Sequence, residues 1–114
     1  MSFFNSDIVR AEMAEISELQ EDIYRNVFKF PQMSKSEKLA HVDLLDRLLD
    51  KQKILYARLS FSDDPEAIEM KNQIVESAKM MGAPSDVDMN TVFTNMSNML
   101  LSMRKQIDRT GSDL

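Results

Sequence analysis

Apolar residues recur along this chain at steps of three and four, and the residues between those runs mark where each helix begins and ends. Val9, Met13, Ile16, Gln20, Ile23, Val27 and Phe30 form one such stripe, apolar at every position but Gln20. A stripe of this width and period predicts a helix packed on another helix. Asn5 is placed to cap it, with Phe4 and Val9 as a hydrophobic staple and Asp7 at the positive end of the dipole. Pro31 stops it, so the first helix is expected over about residues 6–28.

Ser34 and Glu37 have the spacing of a capping box, and Val42, Leu45, Leu48, Leu49, Leu55, Tyr56 and Leu59 follow on a broad apolar face. A second long helix is expected over 35–60. Asp64 before Pro65 suits a cap with proline in the first helical position, which starts a third helix over 65–81. Gly82 supplies a left-handed stop and Pro84 blocks continuation. The last helix, expected over 89–109 behind a cap at Asp86 or Asp88, repeats Met89, Val92, Phe93, Met96, Met99, Leu100, Met103 and Ile107. Arg104, Lys105 and Arg109 lie where the dipole favours cations, and Gly111 ends the helix ahead of a fraying tail.

These elements describe an all-α chain, a single helical domain over residues 1–114. The first two helices form an elongated hairpin, and two shorter ones lie against it in a bundle-like arrangement. Helices of about 35–40 Å exceed what a compact chain of this size accommodates, which motivates a homodimer as a second expectation. Composition agrees: two glycines, three prolines and 29% charged residues fit helices rather than strands. No cysteine is present, so disulfides and thiolate metal sites are excluded, in keeping with a reducing cytoplasm. No apolar run exceeds the four residues Ile54 to Ala57, so neither a membrane span nor a signal-peptide core is expected. A net charge of −5 argues against nucleic acid and anionic lipid as partners.

No set of side chains in the sequence has the spacing that chemistry requires. His41, the one histidine, follows Glu37 by four residues, but a carboxylate-bridged metal pair needs Glu-x-x-His twice, so a surface or boundary histidine is expected. Asp86-x-Asp88-x-Asn90 opens like a calcium loop, yet Thr91 and Ser97 occupy the places of its glycine and glutamate. Glu12, Glu15, Glu18 and Asp22, and likewise Asp43, Asp46 and Asp50, form acidic rows. Glu21 with Arg25 and Asp43 with Arg47 are spaced for exposed ion pairs, which predicts solvated faces rather than acid/base dyads. There is no activated nucleophile and no glycine-rich phosphate loop, so no catalytic, cofactor-binding or metal residue is assigned and the chain is expected not to be an enzyme.

Seven of the ten methionines fall between Met70 and Met103, an adaptable apolar surface expected mainly to fill core space. The candidate partner-binding residues are the terminal pair Phe3 and Phe4, which a staple uses only in part, and Met96, Met99 and Met103 on the last helix.

The segments Phe3-Phe4-Asn5-Ser6-Asp7-Ile8-Val9, Lys53-Ile54-Leu55-Tyr56-Ala57-Arg58-Leu59, Ser62-Asp63-Asp64 and Met81-Gly82, read in order, resemble a family of small uncharacterised helical proteins of cyanobacteria and their contractile-tailed cyanophages. The likeness spans nearly the whole chain. Departures at Ser34 to Lys38 and at Met80-Met81 fit a phage-borne copy. The resemblance implies the cytoplasm of a photosynthetic bacterium, or the host cytoplasm if the gene is viral, and brings no catalytic residue. The function expected is a protein–protein interaction module, an adaptor or regulator of a transcription, translation or photosynthetic complex. The alternatives are a bundle that holds a tetrapyrrole or lipid-like ligand, and a structural virion component.

Overall fold

The computed structural model describes residues 3–83, 86 and 88–110. Its elements are a short 3₁₀ turn at Phe3–Asn5, α1 (Asp7–Asn26), a second 3₁₀ turn at Val27–Gln32, α2 (Lys35–Ser60), α3 (Pro65–Met80) and α4 (Met89–Thr110). The chain is all-α, with no strand among the described residues. Pro84 and Gly111, read above as helix stops, lie outside the described residues.

Local chemistry sets most of the helix ends. The Ser34 hydroxyl accepts from the Glu37 amide at 3.2 Å while Glu37 accepts from the Ser34 amide at 3.2 Å, so the capping box at the start of α2 is complete. Asp64 caps α3 by accepting from the Glu66 amide at 3.0 Å, with Pro65 in the first helical position. Its other carboxylate oxygen accepts from the Phe3 amide at 2.5 Å, which ties the N-terminal turn to the α3 corner. At the far end of α3, Gly82 has φ +109°, and the amides of Gly82 and Ala83 donate to the carbonyls of Lys79 and Ala78. This is the Schellman arrangement, and it requires the left-handed glycine. Of the two cap candidates for α4, Asp88 accepts from the Asn90 amide at 3.0 Å.

The start and end of α1 differ from the pattern. Ser6, not Asn5, stands at its cap position, because Phe3–Asn5 folds into the 3₁₀ turn. Its α-helical ladder closes at Asn26, whose side-chain amide donates to the Asp22 carbonyl at 2.9 Å. The chain then tightens into the 3₁₀ turn that contains Pro31, a residue without the amide hydrogen an α-helix would use. At 20 residues α1 is therefore shorter than α4, at 22. The buried side of α1 is Val9, Ile16, Leu19 and Ile23. Leu19 enters the core, whereas Val27, past the break, is exposed.

α2 is the hub. The pairs Glu12–Arg58 and Glu15–Lys51 show α1 running antiparallel along one flank. The pairs Lys35–Asp108 and Asp43–Arg104 show α4 antiparallel along the other. α3 covers the C-terminal half of α2, and α1 and α4 scarcely meet. One apolar cluster joins Val9, Ile16, Leu55, Leu59 and Ala67, and a second joins Leu49, Met89 and Phe93. Leu59 and Val42 are fully buried, each contributing about 1.5–3 kcal/mol of transfer free energy.

The result is an elongated plate of 54 × 32 × 19 Å with a radius of gyration of 16.3 Å, against roughly 13 Å for a compact domain of this length. Its accessible surface is 8008 Å², where a compact monomer of its mass has roughly 6400 Å².

Candidate functional site

α4 is the element whose sequence and surroundings are most at odds with those of an ordinary surface helix. One edge is well seated. Met89, Phe93 and Ile107 are buried, Leu100 is half-buried, and the Phe93 ring meets Tyr56 of α2 edge-on at 5.7 Å. Arg104 extends this edge with a guanidinium that donates to both Asp43 and Asp46 of α2. These two hydrogen bonds, Asp46 first, hold Arg104 protonated beyond the ordinary arginine range. Beside the seated edge runs a shoulder of Val92, Met96, Met99 and Met103, open in its middle, where Met96 is 41% exposed and Met99 63%, and half-buried at Val92 and Met103.

At its C-terminal end the shoulder runs into an open cleft of about 390 Å³ lined by Phe30, Lys38, Met103, Gln106 and Ile107. The Lys38 ammonium lies 5.6 Å above the Phe30 ring. Beneath that ring is His41, at 5.4 Å between ring centres and only 6% exposed. The surface or boundary position expected for this histidine is thus corrected, because the Val27–Gln32 turn folds Phe30 back over the start of α2.

Of the five candidate residues, the structure gathers three. Met96, Met99 and Met103 share one stripe of α4, Met103 half-buried at the cleft. Phe3 and Phe4, 5.1 Å apart and edge-to-face, pack at another place, against the cluster of Val9, Leu59 and Ala67. Both are half-buried, so they contribute core there, with Met13 and Met70 beside them. The methionines do not mainly fill the core. Met89 alone of the seven between Met70 and Met103 is buried, and Met80 and Met81 are almost fully exposed. α4 is seated along one edge only, and the end of α3 leaves Met80 and Met81 uncovered.

The acidic rows are also used differently from the pattern. Glu12 and Glu15 reach across to Arg58 and Lys51 and bind α1 to α2. Glu12 is largely covered, and its Oε2 is buried without a hydrogen-bond partner among the described residues. Arg25 pairs with Asp22 at 3.3 Å rather than with Glu21. Asp43 pairs with Arg104 rather than with Arg47, because α4 brings a guanidinium within reach of two carboxylates at once. Sequence reasoning also missed Phe28 and Phe61, 91% and 90% exposed. Both lie just beyond an α-helix end, where the 3.6-residue period no longer predicts which side a residue faces.

Among the described residues no three His, Asp, Glu or Cys side chains are grouped to hold a metal ion, and no helix is long and apolar enough to cross a membrane. No curated protein and no solved structure matches the chain. A family model, that of a domain of unknown function (DUF1825), matches residues 1–107, and the chain belongs to that family.

Proposed function

We propose that this chain is a non-enzymatic protein–protein interaction module, an adaptor or regulator that acts on a machine of transcription, translation or photosynthesis. Its setting in this reading is the cytoplasm of a cyanobacterium, or of the infected host where a phage carries the gene. The observation that carries the reading is the division of labour on the surface. Charged groups that would have to be free for chemistry, among them Glu12, Glu15, Asp43, Asp46, Lys51, Arg58 and Arg104, hold the helices to one another. The large apolar side chains left open on α4, and the acidic outer face of α1, where Glu18 and Glu21 are exposed and form no ion pair among the described residues, are contact surfaces. A net charge of −5 favours protein over nucleic acid or anionic lipid as the partner.

The test is affinity capture with the tagged chain from cyanobacterial lysate, quantified against a tag-only control and against a Glu18→Lys, Glu21→Lys variant. Recovery of one complex near stoichiometry, reduced in the variant, supports the reading. A chain that captures nothing above control refutes it.

A second reading rests on the cleft beside Lys38. An apolar recess with one cation at its rim suits an amphipathic anion, such as a fatty acid or a tetrapyrrole propionate. Native mass spectrometry of the purified protein separates the two, since a co-purifying mass or visible colour belongs only to the ligand reading.

A further inference from the structure

α4 carries its charge in an unusual order. The fifteen residues from Met89 to Met103 are uncharged in a chain that is 29% charged, with Asp86 and Asp88 before them and Arg104, Lys105 and Arg109 after. Arg104 is held by α2. Asp86, Asp88, Lys105 and Arg109 have no ion-pair partner among the described residues.

The open shoulder has the spacing of a coiled-coil seam. With Met89, Met96 and Met103 at the a positions of a heptad, Val92, Met99 and Gln106 fall at d. The neighbouring e row, Phe93, Leu100 and Ile107, is the edge turned into α2. The g row on the other flank, Asp88, Asn95, Ser102 and Arg109, is exposed throughout. One stripe of the helix is covered by its own chain, and the adjoining one is open at Met96 and Met99, half-buried at Val92 and Met103, and covered at Met89.

We propose that this second stripe is covered by α4 of a second copy, antiparallel across a two-fold axis between Ser97 and Asn98. In that register Val92 of one copy meets Met103 of the other, and Met96 meets Met99. On the flank, Asp88 faces Arg109 and Asn95 faces Ser102, each contact occurring twice. The charge order selects this occupant. Residues near a two-fold axis meet themselves, so a self-pairing surface tolerates no net charge at its centre. On a chain of net charge −5, α4 is a helix that meets this condition over four turns. The same order selects the direction, since antiparallel pairing joins each acidic helix start to a basic helix end and opposes the dipoles, whereas parallel pairing stacks like charges. This inference rests on the interaction-module reading only in treating α4 as a contact surface, and it leaves the acidic face of α1 to other proteins.

The native chain has no cysteine, so introduced thiols report on their own. Asn95→Cys protein mixed with Ser102→Cys protein is expected to cross-link into a dimer under mild oxidation, and neither protein alone at a comparable rate. Like positions are separated by seven residues, about 10 Å along the axis. A Met96→Lys variant is expected to weaken dimerisation on the order of a hundredfold. Its helicity by circular dichroism should be unchanged, since Met96 is already 41% exposed in the single chain. Equal cross-linking by Asn95→Cys alone, no cross-linking in the mixture, or an unaltered dimer affinity in Met96→Lys would overturn the pairing. Capture of a cellular partner through α1 is read out separately, so either idea can fail without the other.

Discussion

Leu59→Ala is the sharpest test of how the plate holds together. Leu59 is fully buried in the cluster that joins α1, α2 and α3, with Val9, Ile16, Leu55 and Ala67 around it and Phe3, Phe4 and Met70 packed against that group. Truncation removes three carbons from a site walled by three helices and the N-terminal turn, so little can collapse into the space. Substitutions of this kind cost ~3–5 kcal/mol. A domain of this size has roughly 5–15 kcal/mol of stability in total, and each kilocalorie corresponds to ~4 °C near the midpoint. The expected fall in Tm is thus roughly 12–20 °C, with a matching shift in the urea midpoint and an unchanged slope. The control lies two residues away. Phe61 is 90% exposed, so Phe61→Ala should stay within about 0.5 kcal/mol of the parent. The assay is urea unfolding followed at 222 nm, at one fixed protein concentration. Equal losses for the two variants would mean that the α2–α3 corner is packed in some other way and would refute the assignment of the core.

Other perturbations probe single features. Arg104→Met should destabilise by about 1 kcal/mol, since it removes a partner from both Asp43 and Asp46 and leaves two like charges facing α4; the difference from the parent should shrink in high salt. Ser34→Ala should cost ~1 kcal/mol by opening the capping box, seen as faster hydrogen exchange in the first turn of α2. Gly82→Ala tests conformation alone, because a Cβ there meets nothing within 4 Å while φ is +109°. The loss expected is ~1–2 kcal/mol, and a neutral result in thermal unfolding would argue against a left-handed residue at that corner.

Helix ends were readable from the sequence where the chemistry that makes them is local. Ser34 with Glu37, Asp64 with Pro65, and Gly82 each need only neighbours within a few residues, and the structure builds all three caps. Features that depend on distant chain were not readable. Gln20 keeps the regular spacing of the first stripe, yet Leu19 is the buried residue and Gln20 only half-buried, and nothing local chooses between them. His41 is buried because a 3₁₀ turn returns Phe30 to it, a consequence of Pro31 that periodicity cannot express. Arg58 and Arg104 find acids on other helices, although acids on their own helices or none were equally compatible with the pattern. The candidate surface divides in the same way. Met96, Met99 and Met103 share a face by helical spacing alone, whereas the covering of Phe3 and Phe4 depends on where α3 is placed.

Whether a second copy covers the open face of α4 is tested most directly by the mass of the chain in solution. Sedimentation equilibrium at micromolar concentrations should return twice the 13.1 kDa of the single chain for the parent, and the single-chain mass for Met96→Lys at equal helicity. A parent protein that sediments at 13.1 kDa throughout that range would contradict pairing through α4.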